Sequence, residues 1–126
     1  MIREIHIISL LVNDQQRALE FWRDKVGFEV REDYPANPPM PRWLTVAPPG
    51  AQTCFALLPP GLPGMEGGKP GGDAGVSLIS DDLVGDFERM SARGVVFDRP
   101  PKQQPYGLEA GFADPDGNLF NVVQPK

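Results

Sequence analysis

One histidine, His6, and one cysteine, Cys54, set narrow bounds on the chemistry this chain can carry. A Ser-His-Asp or Cys-His arrangement needs an imidazole beside the nucleophile and a third group to orient it, and no such set can be assembled here. A lone cysteine excludes an internal disulfide and a cysteine-cluster zinc site. Within the apolar run Cys54–Leu58 it reads as a small buried residue rather than a nucleophile. Asp81 and Asp82 are adjacent carboxylates, but they stand directly before an amphipathic segment, where helix capping accounts for them. No glycine run has P-loop or dinucleotide-binding spacing. Gly67-Gly68 and Gly71-Gly72 fall in a proline-rich stretch and cradle no phosphate.

The elements that must position any site come in two copies, one over Ile5 to Leu58 and one over Gly75 to Gln124. Each begins with an apolar strand, Ile5 to Val12 or Val76 to Ser80, which runs into an aspartate pair or Asn13-Asp14. An amphipathic helix follows, capped by Asn13 or Asp14 in the first copy and by Asp81 or Asp82 in the second. Gly27 and Gly94 supply the left-handed stops. The apolar stripes are Leu19, Trp22 and Val26, then Leu83, Phe87 and Met90, at three-to-four-residue spacing that faces a sheet. Gly85 inside the second helix is expected to weaken it. Trp43 to Gly50 is answered by Glu109 to Gly117, and each copy ends in a strand, Cys54 to Leu58 and Leu119 to Val123. Strand, helix, then three strands, given twice, is the expected order. Pro59 to Asp73, rich in proline and glycine, reads as a linker, and Tyr34 to Pro41 as a second irregular segment. The chain is thus expected to be a single domain over 1–126, with module one about 1–58, a linker 59–73 and module two about 74–126.

With 126 residues, 40% of them hydrophobic and 23% charged, there is material for one real core. Twelve basic against 17 acidic residues give a formal charge of -5, which repels phosphate backbones and anionic lipid, so neither nucleic acid nor a membrane is an expected partner. No apolar run reaches membrane-spanning length and the amino terminus does not read as a signal peptide. A soluble cytoplasmic protein is the expectation.

The run from Asp14 through Ala18-Leu19-Glu20-Phe21-Trp22 to Val26-Gly27-Phe28, with Gly94-Val95 and Phe112-Ala113-Asp114-Pro115-Asp116-Gly117-Asn118, resembles the vicinal oxygen chelate superfamily. That group includes glyoxalase I, extradiol dioxygenases, fosfomycin resistance enzymes and bleomycin resistance proteins. The resemblance implies an α+β fold in which two tandem βαβββ modules form a curved eight-stranded mixed sheet around a cavity, with the helices on the outer face. In metalloenzyme members, four side chains from the first and last strands of the modules hold a divalent ion. Carried onto this chain, those positions are Ile7, Ala56, Gly75 and Asn121. Three of them offer no donor atom, so no metal and no cofactor are expected. His6 would reach the cavity only by a one-residue slip that turns Ile8, Leu10 and Val12 away from their helix. It is expected instead as a strand-end residue near solvent.

The same alternation places Ile7, Ser9 and Leu11, then Gly75, Ser77 and Ile79, on the cavity face. Trp43 and Thr45 share that face with Glu109 and Gly111, as do Cys54, Ala56 and Leu58 with Leu119, Asn121 and Val123. Tyr106 is expected at the rim. Trp43 is either a flat platform for an aromatic or cationic group or edge packing, and Glu109 is either a solvated strand carboxylate or a compensating charge. The resemblance is closest in character to the metal-free bleomycin resistance proteins. It implies a homodimer that binds an aromatic, cationic natural product such as a glycopeptide antibiotic without transforming it. The alternative is a metal-dependent lyase, isomerase or dioxygenase with displaced ligands such as His6, Glu4 and Glu109.

Overall fold

Asp14 and Asp82 open the two helices. Asp14 Oδ1 accepts the amide of Arg17 at 3.0 Å and Asp82 Oδ1 that of Gly85 at 3.1 Å, each satisfying a first-turn donor that the helix itself cannot. In the computed structural model, which describes Met1–Lys126, the first helix, α1 (Gln15–Glu20), continues as a π-helical turn over Phe21–Val26. The second, α2, spans Leu83–Ala92. Gly27 (φ 98°) and Gly94 (φ 89°) terminate them in the left-handed region. Gly85 does more than weaken α2. A Cβ there would collide with the capping carboxylate of Asp82, so glycine is what lets the cap fold over the first turn.

The eight strands are β1 (Ile7–Leu11), β2 (Glu29–Tyr34), β3 (Trp43–Ala47), β4 (Cys54–Leu58), β5 (Gly72–Ile79), β6 (Val96–Gln104), β7 (Gly107–Ala113) and β8 (Asn118–Pro125). They form two four-stranded mixed sheets with the same order, β1-β4-β3-β2 and β5-β8-β7-β6. In each, the first and last strands of the module pair in parallel and the other neighbours are antiparallel. This is the α+β architecture of two tandem βαβββ modules. Gly72 and Asp73, within the stretch read as linker, are already strand.

The chain divides into two compact units, Met1–Pro70 and Gly71–Lys126. Each has its own aromatic core that ties its helix to its sheet. In the first, Trp22 has no exposed surface and its ring lies 4.9 Å from Phe28, 5.0 Å from Phe55 and 5.3 Å from Phe21. In the second, Phe87 of α2 meets Phe97 at 4.9 Å, and the contacts continue through Phe112 to Phe120 at 5.7 and 5.5 Å. Cys54 is buried in β4 and forms no disulfide. No helix is long and apolar enough to cross a membrane.

Candidate functional site

Strand register aligns one row of four residues across each sheet. In the first, Ser9 pairs with Ala56, Ala56 with Thr45, and Thr45 with Glu32. In the second, Ser77 pairs with Asn121, Asn121 with Gly111, and Gly111 with Arg99. The rows are counterparts, serine on the first strand of each module and an ionised group on its second. That group is a carboxylate in module one and a guanidinium in module two.

In module one, Thr45 and Ala56 are fully buried (0% exposed) and Ser9 is exposed. Ile7, one pair before Ser9, lies opposite Cys54 and is half-buried. Trp43, also half-buried, donates its indole N–H to Glu32 Oε1 at 3.1 Å, and the Thr45 hydroxyl donates to the same oxygen at 3.5 Å. Trp43 is therefore oriented by a carboxylate on its neighbouring strand, beyond any packing at the edge.

Module two is more open. Asn121 donates from Nδ2 to Ser77 Oγ at 3.0 Å and accepts from Arg99 Nη2 at 3.3 Å. Arg99 Nη1 lies 3.9 Å from Glu109 Oε1, whose other oxygen accepts the Tyr106 hydroxyl at 2.8 Å. Five side chains thus form a continuous polar chain across one face of this sheet. Gly111 makes it possible, since a Cβ there would collide with the Arg99 guanidinium. Beside the chain lies a pocket of about 510 Å³, walled by Arg99, Pro100, Pro101, Lys102 and Glu109 among others. Its prolines sit on β6, an edge strand, where a missing backbone donor is tolerated. Gly75 departs from the expected pattern. It lies inside a register shift between Asp73 and Ser77, at φ 70°, with its amide donated to Asp73 Oδ1. Of the residues singled out in the sequence, Ser77, Asn121, Glu109 and Tyr106 come together. Trp43 and Thr45 meet at Glu32, while Ile7, Ser9 and Ala56 lie along β1 and β4. Glu32 and Arg99 are the additions that sequence alone did not yield.

The four positions at which the resembled metalloenzymes hold a divalent ion do not fit one in this chain. Ile7, Ala56 and Gly75 carry no donor atom, and the Asn121 carboxamide already bonds Ser77 and Arg99. A guanidinium 3.3 Å from the only available ligand atom opposes a second cation. Nowhere do three His, Cys, Asp or Glu side chains converge. His6 is exposed, just ahead of β1.

The bond to Glu109 holds the Tyr106 hydroxyl above the usual tyrosine range, because losing the proton would set a phenolate against a carboxylate. Desolvation and the Glu109 charge act in the same sense, and Arg99 opposes them. In a Tyr34→Phe background Tyr106 is the only tyrosine, and its phenolate absorbance should rise at higher pH than in the same background carrying Glu109→Ala. Coincident titrations would show that the bond is not held in solution.

A profile of the Glyoxalase/Bleomycin resistance protein/Dioxygenase superfamily matches residues 4–122. Among solved structures, TnmS3, an antibiotic binding protein from Streptomyces sp. CB03234, superposes with a TM-score of 0.87 at 38% identity, covering 99% of this chain and 98% of its own. A superfamily member from Sphaerobacter thermophilus gives 0.86 at 42% identity over 98% of both chains. YetH of Bacillus subtilis is 38% identical over 120 residues, 95% of this chain and 97% of its own. Profile, sequence and fold agree: this chain belongs to the glyoxalase/bleomycin resistance protein/dioxygenase superfamily.

Proposed function

We propose that this protein binds a small aromatic molecule without a metal and sequesters it, as an antibiotic binding protein does, rather than transforming it. The observation that carries the reading is the donor set. Of Ile7, Ala56, Gly75 and Asn121 only the last has a ligand atom, and that carboxamide is engaged by Ser77 and Arg99. The 38% identity to TnmS3, described as an antibiotic binding protein, supports the same conclusion. In module one a ligand would meet the half-buried side chain of Ile7 and the flat face of Trp43. The polar groups available for orientation are, in module one, the Ser9 hydroxyl and, in module two taken by itself, the hydroxyls of Ser77 and Tyr106 and the carboxamide of Asn121. Each module also carries a carboxylate on its row or beside it, Glu32 in module one and Glu109 in module two, each with one oxygen already accepting a side-chain donor.

Two measurements test the proposal together. Protein purified without chelator should contain no stoichiometric zinc, nickel, iron or manganese. Titration with bleomycin and a panel of aromatic antibiotics should give saturable quenching of tryptophan fluorescence that Trp43→Phe reduces, leaving the signal of buried Trp22. Stoichiometric metal, or no saturable change with any compound, would overturn the reading. We further propose that the protein is cytoplasmic and, separately, that it is a homodimer, the latter supported by the exposure of large apolar side chains at Ile5 (69%), Ile79 (77%) and Val96 (67%). Light scattering that gives the 13.8 kDa monomer at micromolar concentration would rule the dimer out.

A further inference from the structure

Arg99 is held more loosely than four of the chain's other paired arginines, and no more tightly than the exposed Arg3, which meets Glu4 at 3.4 Å. Arg23, Arg31, Arg42 and Arg89 each reach a carboxylate at 2.7 or 2.8 Å. The contacts of Arg99 are all longer, 3.4 Å to Asp98, 3.3 Å to Asn121 and 3.9 Å to Glu109. A guanidinium has five N–H donors in a fixed fork, and long contacts leave much of that capacity open to an incoming acceptor. Two carboxylates compete for the Arg99 guanidinium, Asp98 and Glu109, and both stand at long distances, while Glu109 Oε2 takes the Tyr106 hydroxyl.

Its position matters as much as its looseness. Arg99 crosses the bare Cα of Gly111 to reach Asn121, the one residue at the family's metal positions that retains a donor atom. In module one the counterpart of Gly111 is Thr45 and the counterpart of Arg99 is Glu32, so the opposite charge stands at the equivalent place. A glycine and an arginine together put a permanent cation on the floor of module two, beside a pocket of about 510 Å³. We propose that Arg99 is a specificity-determining residue that receives an oxygen acceptor of the ligand, a carboxylate, phenolate or carbonyl, on the face of module two. The proposal rests on the small-molecule-binding reading and adds the ligand chemistry that this face selects.

The test uses three bicyclic aromatics of similar size, 2-naphthoate, 2-naphthamide and N-methylquinolinium, titrated into the full chain at low salt by calorimetry. Arginine Nε–H resonances are followed by NMR, with Arg99 assigned by its loss in Arg99→Gln. Naphthoate is expected to bind at least about tenfold more tightly than the quinolinium ion and to move the Arg99 signal. Arg99→Gln should remove that preference with the melting temperature unchanged, as the side chain is half exposed on an edge strand. Gly111→Ala keeps the charge but pushes the guanidinium off its seat, and should weaken naphthoate binding as well. Its backbone needs no left-handed conformation, so the variant is expected to fold. A preference for naphthoate that survives both substitutions, or a preference for the quinolinium ion, would overturn the role of Arg99. Equal binding of all three probes would remove that role while leaving the small-molecule-binding reading intact. Absence of binding by all three would overturn both.

Discussion

Replacement of Trp22 by alanine is expected to lower stability by about 3–5 kcal/mol. That is a large share of the roughly 5–15 kcal/mol that a domain has in total. Trp22 has no exposed surface, and it is the ring on which Phe21, Phe28 and Phe55 converge. Those partners come from the helix, the connection that follows it and the middle of the sheet, so no single neighbour can move in to fill the void. The backbone at this position is also fixed. The Trp22 carbonyl accepts the amides of both Gly27 and Phe28, at 3.1 and 2.8 Å, which closes the π-helical turn and aims the chain into β2. Trp22→Phe keeps a ring and should cost far less, about 1–2 kcal/mol. Thermal unfolding followed by circular dichroism should show Trp22→Ala melting on the order of 10 °C or more below the parent. A shift of only a degree or two would mean that module one is held mainly by something other than this cluster.

The Trp22 cluster was legible in the sequence because it rests on helical spacing, which local rules govern. Leu19, Trp22 and Val26 mark the buried face whatever the tertiary arrangement, and an aspartate before the stripe with a glycine after it marks the ends. The site was legible only in part, and the reason lies in strand register. Face assignment by counting assumes strict alternation, which holds for β1, β3 and β4, where Ser9, Ala56 and Thr45 stand in one row. Both missed residues lie on strands where alternation breaks. β2 shifts register between Val30 and Glu32, and β6 shifts on both sides of Arg99. A bulge turns the following side chain to the other face, so parity no longer predicts where Glu32 or Arg99 points. The proline pair at 100–101 was the available signal that β6 is irregular and lies at an edge. Gly75 fails for the same reason, since its place inside the β5 irregularity breaks the count from Asp82 back to Ile7's counterpart.

Asp114→Ala is expected to cost about 2–4 kcal/mol and to disturb the site without touching it. Asp114 and Asn118 are both only 5% exposed. Asp114 Oδ1 accepts the amides of Asp116 and Asn118, each at 2.9 Å, and Oδ2 accepts Asn118 Nδ2 at 2.8 Å. Asn118 Oδ1 in turn accepts the amide of Gly71 at 2.8 Å, so one carboxylate and one carboxamide fasten the starts of β5 and β8 to the end of β7. Burial pushes the Asp114 carboxyl up against the pull of those amides, a sign that its bonds are made where water cannot replace them. Alanine leaves three donors without their acceptor. Asp114→Asn retains the shape, but it sets an N–H₂ against the N–H₂ of Asn118. Turning Asn118 over to relieve that clash would give up its bond to Gly71, so the amide should not rescue the alanine variant fully. The consequence for binding follows from register. The row Ser77, Asn121, Gly111, Arg99 exists only while β5, β8 and β7 stay in step, and this turn is the nearest clamp on all three. Hydrogen exchange should therefore quicken at Phe120 and Val122 of β8 in Asp114→Ala, and the Arg99 Nε–H resonance should shift toward that of a free side chain. If those amides exchange at the parent rate while stability falls, the turn contributes to folding alone and the row is held in register by the strands themselves.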